Sequence, residues 1–93
     1  MSGAITLDSR LDYQAIAPLS DALKAAPAGD MVLDACNVSH VGAQALQVIL
    51  SAIKTRAASG GSSRIINVTD NCIDQLSLFG FTPESLTEPE AWT

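Results

Sequence analysis

Cys36, Ser39 and His40 carry the thiol, hydroxyl and imidazole with which this chain could do covalent or acid–base chemistry, and one short segment, Cys36-Asn37-Val38-Ser39-His40, holds all three. Cys36 comes just after an apolar run and before a loop and a helix. From such a position a thiolate attacks or carries phosphate in phosphatases and phosphocarriers. That chemistry needs a cation to lower the thiol pKa and hold the anion, in the phosphatase arrangement an Arg six residues further on. The residue there is Gly42, and nothing in Cys-Asn-Val-Ser-His-Val-Gly is basic. A phosphocarrier enzyme built on Cys36 is therefore the weakest reading. Cys36 is expected instead to fill core space at a strand end, and Cys72 to do the same on a helix.

His40 is the sole histidine and has no acidic or cysteine partner at catalytic or metal-ligand spacing, so it reads as a loop residue facing solvent or a partner. The Ser39 hydroxyl could accept a phosphate, but its neighbours give no residue-type reason for that, and a turn-capping role accounts for it. Gly60-Gly61 follows a helix rather than a strand and lacks the Lys-Ser/Thr of a phosphate loop. Asn37-Val38-Ser39 and Asn67-Val68-Thr69 match the glycosylation sequon without a secretory signal to make it meaningful. No catalytic residue, metal or cofactor is expected.

The elements that must position these residues follow from hydropathy. Ile5-Thr6-Leu7 alternates, and the charged DSRLD after it suits an edge strand. Asp12 is placed to cap a helix whose apolar positions are Ile16, Leu19, Leu23 and Ala26, with Pro18 in an irregular first turn and Ala26-Pro27-Ala28-Gly29 as its end. Met31 to Leu33, between Asp30 and Asp34, predicts a central strand covered on both faces. A long helix follows: Leu46, Ile49, Leu50, Ile53 and Ala57 form its core stripe, widened by Ala45, Val48 and Ala52. Gln44, Gln47, Ser51, Lys54 and Thr55 form its polar side.

After the turn Ser59 to Ser63, Arg64 to Val68 predicts another strand. A third helix capped by Thr69 or Asp70 should bury Ile73, Leu76 and Phe79 and end at Gly80. Thr82 with Pro83 opens one further turn. Residues 87–93, with Trp92, are expected to be a tail. Strands alternating with helices over short connections argue for an α/β fold with a mostly parallel sheet of about four strands.

The chain has 93 residues, 47% of them apolar, enough for one domain spanning 1–93 with its core over about 5–86. Ten acidic against five basic residues give a net charge of −5, which repels nucleic-acid phosphates and anionic lipid headgroups. No stretch reaches the roughly 18 apolar residues of a membrane span. The opening MSGAITLDSR lacks the basic and apolar regions of a signal peptide, so a cytoplasmic location and no membrane insertion are expected. Two cysteines outside any CxxC pair are expected to be reduced.

Leu33 to Leu50, LDACNVSHVGAQALQVIL, resembles the core of a STAS domain, the anti-anti-sigma-factor fold. In that family a strand ending L-D leads through V-x-x-hydrophobic into D-S-S-G-L-x-x-L, whose first Ser receives phosphate from a partner kinase. Gly42, Ala43, Gln44 and Ala45, followed by Leu46, stand at the matching positions here. Leu76-Ser77-Leu78-Phe79-Gly80-Phe81 matches a second family pattern, a helix ending L-x-x-x-G-hydrophobic, and the resemblance covers about Ile5 to Leu86. It implies a STAS-like fold and a non-enzymatic role. Partner docking would fall on Asn37, Ser39, His40, Gly42, Ala43, Gln44, Gln47 and Ser51. Ala43, at the phosphosite position, has no oxygen to modify, so the usual phosphoswitch is missing there.

The partner implied is a regulatory protein of bacterial signal transduction, either a histidine kinase of a chemotaxis or two-component system or an anti-sigma factor kinase. An alternative is the STAS subunit of a lipid-transport ABC complex docking on its ATPase. Those members usually keep Thr at the position of Ala43, which counts against it. The residues do not fix the oligomeric state.

Overall fold

The computed structural model describes residues 4–26 and 29–92. The chain runs β1 (Ile5–Thr6), β2 (Arg10–Leu11), α1 (Ile16–Ala25), β3 (Met31–Asp34), β4 (His40–Val41), α2 (Ala43–Ala58), β5 (Ser63–Ile66), α3 (Asp70–Leu78) and α4 (Pro83–Leu86). Short 3-10 turns add Tyr13–Ala15 before α1 and Pro89–Trp92 at the end. The architecture is α/β.

β3 is the middle strand of a three-stranded parallel sheet in the order β1-β3-β5, with Leu33 between Ile5 and Ile65. The expected single sheet of four strands is not formed. β2 and β4 instead make a separate parallel pair, Arg10 opposite His40 and Leu11 opposite Val41. Register explains the break: the four-residue step from Thr6 to Arg10 faces a six-residue step from Asp34 to His40. The surplus residues bow out as a loop over 35–39. The ladder closes on either side of it, Leu7 N–H donating to Asp34 O at 2.9 Å and Ser39 N–H to Ser9 O at 2.8 Å.

Side chains alternate between the faces of a strand. Met31 and Leu33 point into a core shared with Leu7, Leu46, Ile49 and Ile53. Val32 and Asp34, on the other face, are only half-buried and Val32 stays outside that core. The expectation that β3 is covered on both faces is thereby corrected. Full burial of each such Leu or Ile contributes about 1.5–3 kcal/mol, so the helix-bearing face holds the sheet in place.

Asp12 accepts from Gln14 N–H at 3.1 Å and starts the turn before α1. Pro18 falls in the first turn of α1, where a missing N–H breaks no helical bond. Leu19 and Leu23 carry α1 onto the core. Pro27 and Ala28 lie outside the described residues, and Gly29 follows at φ 100°, a conformation open to Gly without steric cost.

The turn at Gly29 is pinned to the turn after α2. The Arg56 guanidinium donates to Gly29 O at 2.8 Å and Ala26 O at 3.4 Å. Asp30 accepts from Ser62 N–H at 3.1 Å and from its hydroxyl at 2.9 Å. α1 and α2 thus finish at the same end and pack side by side, parallel to each other. In α2 the buried stripe is Ala45, Leu46, Ile49 and Ile53, while Ala57, assigned to it from periodicity, is exposed in the last turn.

β5 covers Ser63–Ile66 rather than Arg64–Val68, because Asn67 turns the chain out of the strand at φ 56°. The Thr69 hydroxyl accepts from Cys72 N–H at 3.0 Å and caps α3. Cys72 and Leu76, one turn apart, are the buried residues of α3. Ile73 at 40% and Phe79 at 39% exposure are not core, contrary to the three-residue spacing. Gly80 at φ 84° closes the helix as its N–H reaches Ser77 O and Phe81 N–H reaches Leu76 O, a Schellman motif. Thr82 and Ser85 form a capping box for α4 around Pro83. Residues expected to be a tail include the turn Pro89–Trp92, which packs against α2 and α4. Thr93 and the Trp92 side chain lie outside what the structure describes. Among the described residues no helix is long and apolar enough to cross a membrane.

Candidate functional site

The loop 35–39 leaves the C-terminal end of β3 with two anchors pointing inward, Ala35 at 0% and Val38 at 1% exposure. Its backbone is tied on three sides. Asp34 Oδ1 accepts from Cys36 N–H at 3.0 Å and from the Asn67 amide at 3.3 Å. The Thr69 hydroxyl donates to Val38 O at 2.6 Å, and both the N–H and the hydroxyl of Ser39 donate to Ser9 O, at 2.8 and 3.0 Å. The bond from Cys36 N–H, then the one from Asn67, hold the Asp34 carboxyl below its ordinary value.

Ala35 continues the inward alternation of Met31 and Leu33, which leaves Cys36 exposed and corrects its assignment as core filling. The thiol lies against Asp34, and that contact, more than desolvation, pushes its pKa up. Cys72 is buried as expected, and burial raises its thiol pKa as well. Among the described residues no three His, Cys, Asp or Glu side chains gather where they could hold a metal ion.

Asn37 and Ser39 are exposed on the loop and His40 is half-buried at its end. Gly42 N–H donates to Leu11 O at 2.8 Å. A Cβ at Gly42 would stand 3.0 Å from that carbonyl and 4.0 Å from His40 Nε2, so His40 and β2 both close in on the start of α2. Gln75 Oε1 accepts from Val41 N–H at 3.2 Å and holds β4 from the α3 side. Ala43 is the first residue of α2 and is exposed.

Gln44, Gln47 and Ser51 are exposed along α2 and form one wall of a groove of about 840 Å³ between α1 and α2. The facing wall comes from Tyr13, Ser20 and Lys24, with Ile16 and Leu23 deeper. The structure therefore brings together three of the sequence-predicted docking residues. Asn37 and Ser39 do not line the groove; they present a separate edge beyond the N-terminus of α2, with His40 and Gly42 between. Tyr13, Ser20 and Lys24 were not among the residues read from the sequence as docking positions. The signal for them is the spacing Tyr13, Ile16, Ser20, Leu23, one helical face, combined with the parallel crossovers that set α1 beside α2.

Comparison of the chain with family models, with curated proteins and with solved structures gives no match. What the site can do is therefore read from its geometry. Uncharged polar side chains of α2 face an exposed Tyr in the turn before α1 across the groove.

Proposed function

We propose that this chain is a non-enzymatic docking module of the STAS kind, which binds a regulatory protein partner along α2. The contact would run from Asn37, Ser39 and His40 over Gly42 and Ala43 to Gln44, Gln47 and Ser51. The observation that carries this reading is the groove: Gln44, Gln47 and Ser51 form a wall opposite Tyr13, which is 80% exposed. Covering uncharged polar side chains avoids the desolvation cost of buried charge, and an exposed Tyr is a common energetic anchor of interfaces. The raised thiol pKa of Cys36 beside a carboxylate supports binding over thiolate chemistry.

The resemblance to STAS domains supplies the class of partner: a histidine kinase of a chemotaxis or two-component system, or an anti-sigma factor kinase. Ala43 offers no hydroxyl at the first position of α2, so docking there is constitutive and set by the amounts of the two proteins. Affinity should then be indifferent to ATP or phosphatase treatment of this chain.

The test is an affinity pull-down from the native lysate with wild type and Gln47→Arg, read by mass spectrometry. Retention of a histidine kinase or anti-sigma factor, lost with Gln47→Arg at unchanged melting temperature, is the expected result. Recovery of an ABC ATPase would replace it with the transport reading. A partner retained equally by Gln47→Arg would remove the docking face.

A further inference from the structure

The groove between α1 and α2 differs in charge from the rest of the molecule. The chain has twice as many acidic as basic residues, ten against five. Yet the described residues lining the groove include Lys24 and Arg56 and no Asp or Glu. Asp21, on the same helix as Lys24, does not line it.

Both cations stand at one end. The Arg56 bonds to Ala26 O and Gly29 O show that α1 and α2 terminate together there. That end also carries the partial negative charge of two helix C-termini, which Lys24 and Arg56 offset. Arg56 is held by those carbonyls, so Lys24, exposed and without an ion pair among the described residues, is the cation open to an incoming group.

The wall from α2 is straight and low. Gln44, Gln47, Ser51, Thr55 and Ser59 recur at steps of three and four, a stripe about 22 Å long at 1.5 Å per residue. Val48 and Ala52 lie between them as an apolar floor. With no bulky side chain in the stripe, a second helix can settle along it at close interaxial distance. Tyr13 stands at the far end from Lys24.

We propose that this groove receives an amphipathic helix of the protein partner, antiparallel to α1 and α2, with Asp or Glu in its first turn against Lys24. The proposal rests on the docking reading above and names its occupant. An antiparallel helix brings the acids of its first turn to Lys24, and acidic residues in a first turn also stabilise the helix that carries them. Its apolar residues at helical spacing cover Val48 and Ala52, and Tyr13 packs near its C-terminal end.

The probe is a phage-displayed library of one surface-randomised helix, panned on the full chain at low salt. Enriched helices are then assayed as synthetic peptides by fluorescence polarisation on wild type, Lys24→Glu and Ser51→Trp. Enriched sequences are expected to carry acids in the first turn and to bind Lys24→Glu about tenfold more weakly, a difference of about 1.4 kcal/mol. Ser51→Trp, filling the groove from an exposed position, should remove binding at an unchanged melting temperature, whereas Lys24→Glu, which reverses a charge in the last turn of α1, should melt slightly lower while staying folded. Replacing the peptide's acids by Lys should restore binding to Lys24→Glu.

No enrichment, enriched helices without N-terminal acids, or binding indifferent to either variant would each overturn the proposal. If a lysate partner is still retained through Gln47 in that case, the occupant is wrong and the docking reading stands. If the lysate also yields none, both fall.

Discussion

The side-chain amide of Asn67 donates to Asp34 Oδ1 at 3.3 Å and ties together the ends of the two strands that form the core of the parallel sheet. The same oxygen accepts from Cys36 N–H, so one carboxylate fixes where β3 stops and the loop 35–39 begins. The positions of Asn37, Ser39 and the start of α2 depend on this junction. It lies at the carboxyl ends of the strands, where open α/β sheets place their binding regions.

Asp34 should make stability depend on pH in the acid range. Its carboxyl is held below the ordinary 3.8 first by the Cys36 N–H bond, which the fold fixes in place, and then by the Asn67 amide, which only the fold brings near. The folded state therefore favours the ionised form, and the stabilisation is complete at neutral pH. It is lost as pH falls below 3.8 and through the lower folded value. Asp34→Asn should be less stable than wild type at pH 7, with the gap closing between about pH 4 and the acid transition. Urea melts of both proteins across that range measure the gap, and a constant difference would remove Asp34 as its source.

The same carboxylate governs the reactivity of Cys36. Ionising the thiol beside Asp34 sets two negative charges against each other, so the thiolate fraction at pH 8 is smaller than for an unhindered cysteine. Cys36, though exposed, should react slowly with a disulfide reagent at that pH, and Asp34→Asn should speed it severalfold. Cys36→Ser identifies the signal, since Cys72 is buried. A rate equal in wild type and Asp34→Asn would show that the thiol does not sense the carboxylate.

How far the sequence showed these arrangements depended on whether the cause was local. Thr69, Gly80 and Thr82 with Pro83 were legible as helix boundaries because a cap or a left-handed turn is set by adjacent residues. The core stripe of α2 was legible from Leu46, Ile49 and Ile53, except at Ala57, where the last turn outruns the sheet beneath it. Cys36 was misplaced because its apolar character outweighed the alternation Met31, Leu33, Ala35, which puts the next residue outside. Ile73 and Phe79 were misplaced because steps of three drift around a helix, while Cys72 and Leu76 at a step of four stay aligned. The split of the sheet and the α1 wall of the groove arise between distant segments. Neither the mismatch of Thr6–Arg10 with Asp34–His40 nor the meeting of Tyr13 and Gln44 on one groove has a local signature.

Gly61 tests the clamp that keeps α1 and α2 parallel. A Cβ there would lie well inside contact distance of the Gly29 carbonyl, whose oxygen also accepts from Arg56. Backbone meets backbone, so a turn must move, and Gly61→Ala should cost about 1–3 kcal/mol as overpacking does. Gly29→Ala meets nothing within 4 Å and pays only for its φ of 100°, about 1–2 kcal/mol. Gly61→Ala should in addition alter peptide binding to the groove, because α1 shifts against α2, whereas Gly29→Ala should leave it closer to wild type. Chemical denaturation and polarisation assays on the two variants distinguish a clamp from a generic turn: equal effects on both measurements would show that the close approach of the turns has no special role.

Ala43→Asp separates stability from docking. Ala43 is exposed at the first position of α2, and the cap residue Gly42 brings no side chain to the free N–H groups. A carboxylate there interacts favourably with the helix dipole, so the variant should be more stable by about 0.3–1 kcal/mol. It also puts a negative charge and a larger, hydrated side chain in the middle of the proposed contact between the loop and Gln44. Partner retention should fall several-fold while the melting temperature rises, opposite in sign to what a folding defect produces. Ala43→Ser, which adds a hydroxyl without charge, should leave both near wild type. Retention unchanged in Ala43→Asp would place the start of α2 outside the interface and confine docking to the groove.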